Sequence, residues 1–145
     1  MIPDISRLAA IESGEKDEQL RYRSTSPDES NRTYEYIVIH GSDHDMSCHY
    51  RNYDGKIYPA GIELSDIAWH CGNWNMCMKS IAIDIGNDIL DEDGEASLAD
   101  IVQKLQQEYS IPADKVIRHK DKTGKECPAQ YSDEEWLALK QRICL

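Results

Sequence analysis

The chain has 145 residues, 40% of them hydrophobic and 30% charged, which suits a single domain with one core and argues against disorder along its whole length. Its formal net charge of -11 reflects 27 acidic against 16 basic residues. Binding to nucleic acid or to an anionic membrane rests on clustered Lys and Arg, so neither partner is expected. No stretch approaches the roughly 18 consecutive apolar residues of a membrane span. The opening "MIPDISRLAAIESGEKDEQ" lacks the basic and long apolar regions of a secretory signal. Synthesis in the cytoplasm without a signal peptide is therefore expected. The five cysteines are odd in number and show no CxxC pair, so they read neither as a disulfide framework nor as a zinc knuckle.

Residues 1–33 are polar and mixed, with a short helix expected over 4–11 and a Ser-, Pro- and Asn-rich loop over 24–32. They read as an extension or long surface loop ahead of a domain over 34–145. "YEYIVIH" (34–40) is the first strong strand, aromatic and β-branched, and it ends in His40. In "CHYRNYDGKIYPA" (48–60) the Asp54-Gly55 pair between two strand-like runs signals a hairpin. "DIAWHCGN" (66–73) reads as extended and then looped. "SIAIDIGN" (80–87) reads as a buried strand with Asp84 inside its apolar run.

The acidic run 91–95 is expected as a solvated turn. A helix follows over 97–109, with Ser97 as its N-cap and Leu98, Ile101, Val102 and Leu105 forming one apolar face. "KVIRH" (115–119) reads as a short strand ending in His119. The last helix, 132–143, opens with a Ser132/Glu135 capping box and an acidic first turn. Strands and helices mix without strict alternation. The expected fold is α/β, a single domain with a central mixed sheet flanked by helices.

Two histidines, His40 and His119, stand at the ends of predicted strands, where a rigid sheet aims side chains into a shared cleft. Taken singly, a strand-end histidine is more often structural. With Cys127 they make two imidazoles and one thiolate. Three N and S ligands leave the fourth tetrahedral position open, the arrangement of a catalytic rather than a structural zinc site. Pro128 restricts Cys127 to an extended backbone. His44 reads as a surface loop residue and His49 as a structural strand residue. A closed structural zinc site would need His44 or Cys48 as its fourth ligand.

The order of the whole set is more specific than any spacing. "YIVIH", "CHYRNYDGKIY", "DIAWHCGN.N", "SIAIDIG", a helix and then "VIRHKD...GKECP" resembles the zinc-dependent N-acetylmuramoyl-L-alanine amidases of the amidase-2 type, which are related to peptidoglycan recognition proteins. The resemblance covers about residues 34–143. It implies Zn2+ as cofactor, with His40, His119 and Cys127 as ligands. It implies that Lys125, two positions before Cys127, stabilises the oxyanion, and that Asp84 stands where some members carry a general-base Glu.

The resemblance also places His70, with Trp69 and Asn75, along the substrate groove. Trp69 and Trp74 are suited to stacking on a sugar or stem peptide, with core packing as the equal alternative. Cys48 stands where phage-type members carry a Tyr, and residues 41–48 form a shorter segment than the family's. The implied reaction is hydrolysis of the amide between N-acetylmuramic acid and L-alanine in peptidoglycan, by a monomer. The enzyme would act on cell wall after release, as an endolysin does, or on cytoplasmic muropeptides. A peptidoglycan-binding module without activity, on the same fold, is the alternative.

Overall fold

The computed structural model describes residues 32–41, 47–70, 73–123 and 127–145. The predicted helix over 4–11, together with His44, Cys71 and Lys125, lies outside them. In chain order the elements are β1 (Tyr36–His40), β2 (Tyr50–Tyr53), β3 (Lys56–Pro59), α1 (Trp74–Cys77), β4 (Ser80–Asp84), α2 (Glu92–Tyr109), β5 (Val116–Arg118), α3 (His119–Thr123) and α4 (Asp133–Ile143). The five strands form one sheet in the order β3-β2-β4-β1-β5. β2, β4, β1 and β5 run parallel, and β3 closes one edge as the antiparallel arm of a hairpin. The hairpin turn places Asp54 at φ 53° and Gly55 at φ 91°. Two successive positive φ values match the right-handed twist of the flanking strands, which is why an Asp-Gly pair occupies the turn.

The period of two along β1 and β4 divides the sheet into unlike faces. Ile37, Ile39, Ile81 and Ile83 point to one side. There they meet Leu98, Val102 and Leu105 of α2 and Trp136, Leu139 and Ile143 of α4 in the main core. Val38 and His40, with Ser80, Ala82 and Asp84, point to the other side. All five residues of β4 are buried, as expected of a parallel strand covered on both faces. Among the described residues no helix is long and apolar enough to cross a membrane.

Two helix boundaries differ from the sequence reading. α2 begins at Glu92, capped by Asp91, whose side chain accepts from the Gly94 N–H at 2.8 Å. The acidic run read as a solvated turn is thus the first turn of this helix, where Glu92, Asp93 and Glu95 complement the positive end of its dipole. Ser97 lies inside the helix rather than at its cap. Its hydroxyl accepts from Ile57 N–H at 2.9 Å and donates to Ile57 C=O at 3.3 Å, clipping the edge strand β3 to α2. A Cβ on Gly94 would stand 2.7 Å from the Gly55 carbonyl, so the helix approaches the hairpin closely only because this position lacks a side chain.

The second difference is that His119 opens the short helix α3 rather than ending β5. The expected capping box of α4 is present in both directions: Glu135 N–H donates to Ser132 Oγ and Ser132 N–H to the Glu135 carboxylate.

Candidate metal centre

The carboxyl ends of the parallel strands carry the chemistry. His40 is the last residue of β1 and is buried. His119 follows β5 directly and is half-buried, and Cys127 is buried on the segment after α3. One ligand atom from each lies within 4.8 Å of the others. Strands β1 and β5 are hydrogen-bonded neighbours, so adjacent strand ends bring together histidines 79 positions apart, with ring centroids 4.7 Å apart.

Cys127 Sγ lies 3.9 Å from His40 Nδ1. A tetrahedral zinc with bonds of about 2.3 Å to sulfur and about 2.1 Å to nitrogen requires a separation of roughly 3.6 Å. The Gly41 N–H points at the Cys127 sulfur at 3.3 Å, as suits a thiolate. The donor set therefore fits a metal of zinc type. Cys48 takes no part in the cluster. It is buried against Ala68 and Ala82, burial pushes its thiol up, and Arg51 Nη2 donates to its sulfur at 3.1 Å.

Gly41 explains the compactness of this corner. A Cβ there would stand 2.6 Å from the Gln130 side-chain oxygen and 2.7 Å from the Gly86 carbonyl. The Cys127 carbonyl accepts from Lys120 N–H at 3.0 Å, joining its segment to α3. Arg118, just before His119, makes a fork with Asp121 and a 2.7 Å contact with Asp133. These contacts hold the start of α3 against α4.

Asp84 sits next to His40 in the β1–β4 register and is fully buried. Its Oδ1 accepts from Gly86 N–H at 2.9 Å, and its Oδ2 lies 3.8 Å from Arg51 Nη1. Arg51 pairs with Asp84 in the β2–β4 register, so Arg51, Asp84 and His40 form a row across three neighbouring strands. Sequence reading missed Arg51. The available signal was its alternation in the hairpin strand, which puts it on the face opposite Tyr50.

The geometry gives His70 a different place from the one the resemblance implies. It is only 7% exposed, with its ring edge-on to that of His40 at 5.0 Å between centroids. Its Nδ1 is 2.9 Å from His40 Nε2 and its Nε2 is 2.8 Å from Ser80 Oγ. Burial pulls its pKa down to about 3, so the ring is neutral. Trp69, next in sequence, is 44% exposed and packs against Trp74 with ring centroids 4.5 Å apart, while Asn75 is exposed on α1.

His49 is structural, in agreement with its sequence reading. Its Nδ1 accepts from Ala82 N–H at 3.0 Å and its Nε2 reaches the Asp66 carbonyl at 2.9 Å. Sequence reading also missed Arg32, at the end of the segment taken as an extension. Its guanidinium donates to the carbonyls of Leu64, Cys77, Met78 and Ser80, fastening the chain just before β1 to both ends of the α1–β4 turn.

Comparison with known proteins agrees with this geometry. The family model described as N-acetylmuramoyl-L-alanine amidase matches residues 10–130, and so takes in much of the segment read as an extension. The N-acetylmuramoyl-L-alanine amidase CwlH of Bacillus subtilis (strain 168) is 33% identical over 93 residues, covering 60% of this chain and 36% of CwlH. The chain thus spans about a third of the length of that curated relative. The solved catalytic domain of XlyA superposes with a TM-score of 0.62 at 26% identity, over 77% of this chain and 87% of that one. The fold is also that of N-acetylmuramoyl-L-alanine amidase LysC from Clostridium intestinale URNW, with a TM-score of 0.64 at 20% identity, over 86% of this chain and 94% of LysC.

Proposed function

The chain belongs to the N-acetylmuramoyl-L-alanine amidase family, and from that membership we propose that it hydrolyses the amide bond between N-acetylmuramic acid and L-alanine in peptidoglycan, with zinc as its cofactor. The observation that carries this reading is the cluster of His40, His119 and Cys127 donors within 4.8 Å of one another at the strand ends. When bound by these three N and S ligands, zinc would supply Lewis acidity toward a carbonyl and a water nucleophile at neutral pH.

The protein's own groups have distinct tasks. His40, His119 and Cys127 would hold the metal, and the Gly41 N–H would steady the Cys127 thiolate. Asp84, adjacent to His40, is the carboxylate assigned to proton transfer, with Gly86 N–H and Arg51 fixing its orientation. Lys125, outside the described residues, is assigned to the oxyanion of the tetrahedral intermediate. The exposed Trp69 and the neighbouring Asn75 are assigned to contacts with the glycan or stem peptide. The protein acts as a monomer, either on cell wall after release or on cytoplasmic muropeptides.

Purified peptidoglycan incubated with zinc-loaded protein, with and without chelator, tests the reading by mass spectrometry of the soluble products. The expected result is stem peptides with a new N-terminal L-alanine and intact glycan, abolished by chelation. Binding to peptidoglycan with no such peptides would assign the chain to the non-catalytic binding role instead.

A further inference from the structure

We infer that Ser80 and His70 form a one-way hydrogen-bond relay, anchored on the Met76 carbonyl, that sets the tautomer of His40 and so makes Nδ1 its metal-binding nitrogen. The inference rests on the metal reading above and concerns residues outside the His40, His119 and Cys127 donor set.

The direction of the relay follows from its far end. Ser80 Oγ lies 2.8 Å from the Met76 carbonyl oxygen. A carbonyl only accepts, so the single hydroxyl proton of Ser80 is committed to it. Ser80 Oγ then meets His70 Nε2, at 2.8 Å, as an acceptor, and the proton of His70 sits on Nε2. The His70 ring is buried, and its partners among the described residues are a hydroxyl and an imidazole rather than a carboxylate, so with its proton on Nε2 it offers the lone pair of Nδ1. The 2.9 Å contact between His70 Nδ1 and His40 Nε2 needs one donor, and only His40 Nε2–H can supply it. The lone pair of His40 is thereby placed on Nδ1, the nitrogen 3.9 Å from Cys127 Sγ.

The backbone makes the relay rigid. Ser80 opens β4 and Met76 lies in α1, one helical turn earlier. Ser80 and His70 are both buried, which keeps water from competing for either ring nitrogen. A histidine ligand whose other N–H is held in this way has a fixed ring plane and a more basic metal-binding nitrogen. His70 and Ser80 are thus positioning residues. They act through His40 and spare the site the cost of selecting a tautomer when metal binds.

The direct test needs no variant. Long-range 15N–1H NMR on the metal-free protein reports which ring nitrogen of each histidine is protonated. Protons on Nε2 of both His40 and His70 are expected, and a proton on Nδ1 of His70 would overturn the relay. Zinc affinity, measured by chelator competition with folding checked by circular dichroism, gives the second arm. His70→Leu should bind zinc about 10–100-fold more weakly. His70→Asn, whose amide oxygen can accept at the place of Nδ1, should stay within a few-fold of the native chain. Equal affinity of the folded leucine and asparagine variants would refute the positioning role. Failure of the unaltered protein to bind zinc would remove the metal reading itself, an outcome distinct from a wrong tautomer in a protein that binds it.

Discussion

The two faces of the sheet are built from the same strands but held by different forces. Towards α2 and α4, alternate isoleucines of β1 and β4 meet leucine, valine and tryptophan, and that layer coheres by apolar burial. The opposite face is pinned by buried polar groups: His49 between Ala82 and Asp66, His70 between His40 and Ser80, and Asp84 beside Arg51. Apolar packing tolerates exchange of one aliphatic group for another of similar volume. A chain of directed hydrogen bonds tolerates almost nothing, because each member must be donor or acceptor in the right place. The molecule thus places its stability on one face and its chemistry on the other.

Substitutions on each face should separate the two properties. Cys127→Ser removes the thiolate ligand and should lower amidase turnover by about a thousandfold, the rate equivalent of several kcal/mol of lost Lewis-acid stabilisation. Thermal unfolding of the metal-free protein should barely change. An active Cys127→Ser protein would sink the proposed centre.

Leu139→Ala, in the buried layer of α4, should cost about 2–5 kcal/mol in urea unfolding while zinc affinity in the folded protein holds. A matching loss of zinc affinity would show that the two faces are not separable.

His49 gives a pH signature of the polar face. Burial pulls its pKa down to about 4 from an ordinary 6.5, so on acidification the unfolded chain takes up the proton first. Its effect on stability is absent above about pH 6.5, grows as pH falls towards about 4 and then levels off, at up to about 1.4 kcal/mol per pH unit. Urea unfolding of the metal-free protein across pH 4–7 would show this decline. A flat profile for native protein and His49→Gln alike would contradict a buried neutral imidazole. The smallest effect expected is from Ser132→Ala, which removes one half of the α4 capping box and should cost about 1 kcal/mol with zinc binding unchanged.

Legibility in the sequence divided along the same line. The strand at 80–84 was visible from its apolar composition, and the face of Leu98, Val102 and Leu105 from a helical repeat that needs no partner to be recognised. The Asp54-Gly55 turn and the Ser132/Glu135 box were visible because their donors and acceptors lie within four residues. The start of α2 was misplaced because Ser97 and Asp91 are both good caps by composition. Only the hairpin packed alongside commits the Ser97 hydroxyl to Ile57 and leaves the cap to Asp91.

His40, His119 and Cys127 were singled out from residue type, strand-end position and chain order. Their convergence depends on β1 and β5 being sheet neighbours, a pairing no local pattern encodes. The sequence by itself determined the five strands and the bodies of α2 and α4, and which residue types were available to bind a metal. Tertiary structure alone decided that Arg51 lies beside Asp84, that Arg32 ties the chain to the α1–β4 turn, and that His70 stands between His40 and Ser80. The physical reason is range. Periodicity and capping act over a few residues, whereas a buried polar group takes its partner from whichever strand or loop the fold sets within about 3 Å of it.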